Sequence, residues 1–137
     1  MTTATPSPPD EFITAAVDGD TKTLKKLLKA GADPNTQTTA GHPLLHIAAL
    51  GGHALITKHL IDNGADINAT DKHGKTALHC AARGGHNDIA KILIKSGANV
   101  NASARNNSHP IDWAVKFEHD KMVELLEANG GESGREI

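Results

Sequence analysis

The sequence predicts an all-α fold, a solenoid of helix–turn–helix units stacked side by side and joined by short β-hairpin or turn connections. Three observations carry this reading. Gly31-Ala32-Asp33-Pro34-Asn35, Gly64-Ala65-Asp66-Ile67-Asn68 and Gly97-Ala98-Asn99-Val100-Asn101 are one pentapeptide theme repeated at a period of 33 residues, and a fixed period of that size marks stacked supersecondary units. Gly41, Leu45, His46, Ala48 and Ala49 recur at the same period as Gly74, Leu78, His79, Ala81 and Ala82, and Gly52-His53 recurs as Gly85-His86. Finally, Phe12, Trp113 and Phe117 are the only Phe, Trp or Tyr side chains. That is too few large rings for a compact core, but it suits helices packed closely through Ala, Leu, Ile and Gly.

The stretch from Gly74 to Asn101, G-K-T-A-L-H-C-A-A-R-G-G-H-N-D-I-A-K-I-L-I-K-S-G-A-N-V-N, resembles the ankyrin repeat. That family's pattern runs through a hairpin turn, T-P-L-H-x-A-A, G-H, an apolar helix and G-A-D-V-N. The resemblance spans about residues 10–130, in units of about 10–34, 35–67, 68–100 and 101–130, with the first and last as caps. Residues 1–9, rich in Thr, Ser and Pro, and residues 131–137 are expected to be flexible tails.

Each element has its own signals. Asp10 is placed as an N-cap, with Phe12, Ala15 and Ala16 as the buried face of the first helix. Asp18-Gly19-Asp20 ends that helix and caps the next, Thr21 to Ala30, where Leu24, Leu27 and Leu28 point inward and four lysines outward. The second unit carries Pro43-Leu44-Leu45-His46, with proline one place early and no threonine cap. The third carries Thr76-Ala77-Leu78-His79, which keeps the threonine. Proline in a first turn and a threonine cap both permit a helix start. Asn68 and Asn101 are placed to bond the backbone of the next turn; they also resemble sites modified by asparaginyl hydroxylases. In the fourth unit Asn107 replaces the turn glycine, Asp112 the repeated histidine, Trp113 a small aliphatic residue and Val115 an alanine. Asparagine tolerates the left-handed region, so the turn is expected to survive. The last helix runs from about Asp120 to Ala128, with Met122, Val123, Leu125 and Leu126 inward.

Composition bounds the chemistry. Net charge is −2 at 137 residues, and no apolar run approaches membrane-spanning length. An intracellular, cytoplasmic protein is expected, with the nucleus left open. Nine histidines raise the possibility of a metal, but His53, His86 and His119 lie 33 apart. Stacked helices separate such residues by roughly 8–10 Å, whereas zinc ligands share one centre at about 2 Å. His46 and His79 match the family's structural histidine, whose ring bonds the backbone near the hairpin. Cys80 reads as a small core residue, since no base or oxyanion site assembles around it. No cofactor, metal or catalytic residue is expected. Trp113 is read as filling a gap against the last helix.

Charge is more informative. Residues 70–117 hold seven Lys or Arg against three Asp or Glu, whereas residues 1–69 hold five against seven and residues 118–137 two against six. In ankyrin-like proteins the partner meets hairpin tips and the exposed face of each first helix, a concave surface. The resemblance places Thr39, Ala40, His42 and Leu50 there in the second unit, then Lys72, His73, Lys75 and Arg83 in the third. The fourth supplies Arg105, Asn106, Ser108, Lys116 and Phe117. The implied function is noncatalytic protein binding, as an adaptor or inhibitor, by a monomer whose partner brings an acidic segment. Two alternatives stay open: nucleic-acid binding through the basic middle, disfavoured by acidic ends and scarce aromatics, and a histidine-dependent metalloenzyme.

Overall fold

The computed structural model describes residues 8–134. The tail expected over residues 1–9 therefore lies mostly outside the described residues, as do residues 135–137. Eight α-helices occupy the described chain: α1 (Pro8–Asp18), α2 (Thr21–Lys29), α3 (Leu44–Gly51), α4 (Ala54–Asp62), α5 (Ala77–Gly84), α6 (Asn87–Lys95), α7 (Pro110–Lys116) and α8 (Asp120–Ala128). Each odd-numbered helix packs on the even-numbered helix that follows it. The odd-numbered helices also stack on one another in order, and the even-numbered ones do likewise. The result is a two-layer solenoid of four helix pairs. Among the described residues no helix is long and apolar enough to cross a membrane.

The core is a continuous spine through that stack. Phe12, Leu24, Leu44, Leu45, Ile56, Leu60, Leu78, Ile89, Leu93, Met122 and Leu126 are fully buried, separated by buried alanines such as Ala48, Ala49, Ala81 and Ala82 that let first helices approach closely. Every unit buries its apolar face on a neighbour, so stability is the sum of unit and interface contributions.

Turns and caps give the stack its register. The Asp20 carboxylate caps α2 by accepting from the Thr23 N–H at 3.2 Å. Three asparagines form a ladder between successive units. Asn35 donates to the Gly64 carbonyl and accepts from the Asp66 N–H, at 3.3 and 2.7 Å. Asn68 does the same with Gly97 and Asn99, at 3.2 and 2.8 Å, and Asn101 with Gly130 and Glu132, at 3.0 and 2.8 Å. Amides that would otherwise seek water thus stitch each turn to the next.

The histidine column has a structural occupation that spacing alone does not reveal. The His53, His86 and His119 ring Nε2 atoms reach the carbonyls of Val17, Leu50 and Arg83, at 3.2, 3.0 and 2.9 Å. Those carbonyls belong to the last turns of α1, α3 and α5, where helical acceptors have no intrahelical partner. Each ring also lies against a glycine of the unit before: a Cβ built on Gly52 would sit 2.8 Å from the His86 ring, and one on Gly85 2.6 Å from the His119 ring. Both glycines hold φ of +78° and +70°, a region costly for a residue with a Cβ.

Several expectations are corrected. Helix α1 begins at Pro8, so Asp10 sits in the first turn rather than at the N-cap. Proline is accommodated there because first-turn N–H groups have no intrahelical acceptor, and Asp10 and Glu11 still face the positive end of the helix dipole. Pro43 is the N-cap of α3, not a first-turn residue, and offers no cap bond. Order continues past Gly130: the Glu132 carbonyl lies 2.8 Å from the His109 ring Nδ1, and the Ser133 hydroxyl donates to the Asp112 carboxylate at 2.5 Å. The Gly134 N–H donates to the same carboxylate at 3.0 Å. Residues 131–134 thus strap the end of the stack.

Candidate interaction surface

The surface is built by the hairpin turns and the first helices of the third and fourth units. In the third unit the Asp71 carboxylate, almost wholly buried, accepts from the His73 and Lys75 N–H groups at 2.8 and 3.0 Å. Burial pushes the Asp71 carboxyl up, but those two backbone bonds and the Lys75 and His46 charges outweigh it, and its pKa ends below the usual carboxylate value. The same carboxylate lies 3.9 Å from the Lys75 ammonium. Asp71 therefore fixes the turn that presents His73 and Lys75.

The fourth unit reaches the same shape with different residues. Asn106 and Asn107 both adopt positive φ, 63° and 55°, so asparagine does supply the left-handed turn expected of it. The Arg105 N–H donates to the His73 carbonyl at 2.9 Å, which locks the two hairpins together. Asp112 takes over the helix-start role of the histidine it replaces by accepting from the His109 N–H at 2.9 Å.

Trp113 packs against the core as a partly buried residue, and it has a second role. Its half-buried ring stacks on Phe117 with centroids 6.0 Å apart and planes 7° apart. An i, i+4 aromatic pair on one helix is the sequence signal for this. Three cations cover the two rings. Lys75, Arg83 and Lys116 lie 5.7, 5.9 and 5.6 Å from the Trp113 centroid, and Arg83 and Lys116 lie 5.3 and 5.8 Å from that of Phe117. Beside the stack opens a pocket of about 290 Å³, lined by His73, Lys75, Ala104, Arg105, Asn106, Ser108, Asp112, Trp113 and Lys116.

Of the sequence-predicted site residues, His73, Lys75, Arg83, Arg105, Asn106, Lys116 and Phe117 are thus brought together around one tryptophan. Thr39, His42, Leu50 and Lys72 are not part of that cluster. Thr39 sits at the tip of the second hairpin, which is closed by the Thr38 N–H bonding the His42 carbonyl at 3.0 Å. Leu50 is exposed at the end of α3, and Lys72 is exposed on the third hairpin.

A family model described as ankyrin repeats, in three copies, matches residues 12–104 and, in a second overlapping placement, residues 58–135. The chain belongs to the ankyrin repeat family. No curated protein matches it. Ankyrin repeats generally mediate protein–protein interaction, and the roles of the remaining polar groups fit an ankyrin scaffold. His46 Nε2 lies 2.9 Å from the Ala69 carbonyl and His79 Nε2 2.8 Å from that of Ser108, as expected of the structural histidine. Burial lowers the pKa of both rings. Burial also pushes the Cys80 thiol up to about 11, which favours the protonated form expected of a core thiol. Among the described residues no group of three or more His, Cys, Asp or Glu could hold a metal ion.

Proposed function

We propose that this ankyrin protein is a noncatalytic binding module, an adaptor or inhibitor acting inside the cell, whose partner lays an acidic segment over the first helices and hairpins. One observation carries the reading: Lys75, Arg83 and Lys116 converge on the Trp113–Phe117 stack beside an open pocket. Trp and Arg are the residue types that most often dominate binding energy. A carboxylate arriving there meets cations whose own desolvation is partly offset by the rings, each such contact contributing roughly 0.5–1 kcal/mol at an exposed site. The neighbouring Lys72, His73, Arg105 and Asn106 set encounter rate and register more than affinity. Thr39, His42 and Leu50 extend the contact toward the second unit.

Affinity capture from cell extract, comparing the natural chain with an Arg83→Glu/Lys116→Glu variant of equal stability, tests the proposal. Loss of a specific protein carrying an acidic stretch supports it; an unchanged set of captured proteins overturns it. A second reading, single-stranded nucleic acid, draws on the same stack, since aromatic rings flanked by cations can hold bases. The chain's own cations already cover those rings, which weighs against it. A labelled oligonucleotide bound with a steep salt dependence would favour it.

A further inference from the structure

Val17, Leu50, Arg83 and Lys116 are structural equivalents, one per unit, spaced 33 residues apart at the C-terminal ends of α1, α3, α5 and α7. The Val17, Leu50 and Arg83 carbonyls are fixed in the same way, each by the histidine of the following unit. Because these helices stack in order, the four side chains form one row, and its chemistry changes half-way along. Val17 and Leu50 are 50% and 46% exposed, so the row offers two accessible aliphatic side chains at this end. Arg83 and Lys116 follow, leaning over the aromatic stack. The exposed Asp18 adds a negative charge at the aliphatic end, opposing carboxylates there, while Lys75 and Arg105 reinforce the positive end.

Resting on the reading of this face as a protein-binding surface, we infer that the row recognises a bipartite segment: one or two aliphatic side chains over Val17 and Leu50, and carboxylates over Arg83 and Lys116. Successive helices stack roughly 8–10 Å apart, and an extended chain advances about 3.3 Å per residue. The aliphatic part and the first carboxylate of the partner are therefore about three residues apart, with the next carboxylate about three further on. Charge fixes the direction, because a reversed segment would set its carboxylates beside Asp18 and its aliphatic side chains beside Arg83.

Synthetic fluorescein-labelled peptides test this directly by anisotropy. The probes are a Leu-Leu block and a Glu-Glu-Glu block joined by a two-residue Gly/Ser spacer, which sets Leu and Glu three positions apart, the same blocks with a nine-residue spacer, and a Glu-only peptide of equal charge. The two-residue spacer should bind about tenfold tighter than the Glu-only peptide, the increment expected for partial burial of two aliphatic side chains. Leu50→Ser should remove that advantage and leave Glu-only binding unchanged. Arg83→Glu should weaken every probe. Equal affinity of the Glu-only and bipartite peptides, or equal affinity of the two spacers, overturns the bipartite row but leaves the acidic-segment reading standing. Failure of all three probes to bind overturns both.

Discussion

Replacing Pro43 by threonine should stabilise the protein. In the third unit His79 Nδ1 accepts from the Thr76 N–H at 3.1 Å and lies 3.0 Å from its hydroxyl, while Nε2 serves the Ser108 carbonyl. In the second unit the equivalent ring, His46, bonds the Ala69 carbonyl through Nε2, but its buried Nδ1 has no partner among the described residues. The cause is one residue: Pro43 occupies the place of Thr76 and has neither N–H nor hydroxyl. The hairpin does not need proline there. Its bonds, Thr38 N–H to His42 carbonyl and Leu44 N–H to Thr36 carbonyl, flank position 43 and leave that nitrogen outside the ladder. The backbone is extended at both sites, φ/ψ −59°/144° at Pro43 and −105°/173° at Thr76.

An unsatisfied buried acceptor costs about 1–3 kcal/mol, and losing proline returns about 0.4–1 kcal/mol of unfolded-chain entropy. The net expectation for Pro43→Thr is about 1–2 kcal/mol of added stability, a rise in Tm of roughly 3–8 °C for a domain of this size. Pro43→Ala restores the N–H without the hydroxyl and should fall between. Thr76→Pro should lose a comparable amount. Urea unfolding followed by circular dichroism, with m unchanged, measures all three. A Pro43→Thr midpoint that stays put or falls refutes the account of the histidine cap.

Three further outcomes follow from the same geometry. Gly85→Ala should destabilise by about 2–4 kcal/mol in thermal unfolding, because the backbone is left-handed and the new Cβ would displace the His119 ring from the Arg83 carbonyl; a loss below half that would mean the ring is not held there. The His46 and His79 pKa values are lowered from 6.5 by burial, so the unfolded chain takes up protons first as pH falls. Their contribution is complete above about pH 7.5, begins to fall near 6.5 and is lost as pH drops through the lower folded-state pKa values, and a urea midpoint flat from about pH 7.5 to 5.5 would contradict it. Removing residues 131–137 should accelerate amide exchange in α7 and α8 about tenfold and leave α3 and α4 unchanged, since each unit contacts only its neighbours; uniform acceleration would show that the C-terminal strap is not a local device.

What was legible in the sequence is what local chemistry decides. Asp20 capping α2, the left-handed turn at Asn106–Asn107 and the span of α8 each depend on residues within a few positions of one another. The asparagine ladder was legible as well, because the period states which turn each amide faces. The C-terminal strap was not. Gly130-Gly131-Glu132-Ser133-Gly134 reads as a mobile end by composition, and its order comes from Asn101, His109 and Asp112, roughly twenty to thirty residues earlier. The packing of Trp113 against the core was legible, but its cation-covered stack was not, for a related reason: those cations include Lys75 and Arg83 of the preceding unit, so nothing near it in sequence except Phe117 and Lys116 hints at the stack.

The histidine column also explains why function is harder to read here than fold. By bonding the carbonyls of Val17, Leu50 and Arg83, the rings of His53, His86 and His119 secure the backbone at those positions whatever side chain it carries. The scaffold therefore constrains Gly52, His53 and their repeats tightly and leaves the adjoining row free to vary. A position whose backbone is fixed by the scaffold and whose side chain lies on the surface is suited to carry binding specificity, because changing it alters the surface with little disturbance to the stack. The four units satisfy one structural pattern and yet present valine, leucine, arginine and lysine in turn. If that row served only to face solvent, Leu50→Ser and Arg83→Glu would be silent in binding. The expectation is that Leu50→Ser leaves Tm nearly unchanged and Arg83→Glu costs only the roughly 0.5–1 kcal/mol per ring contact that it removes, while both alter partner affinity; unchanged affinity in both would sink the argument.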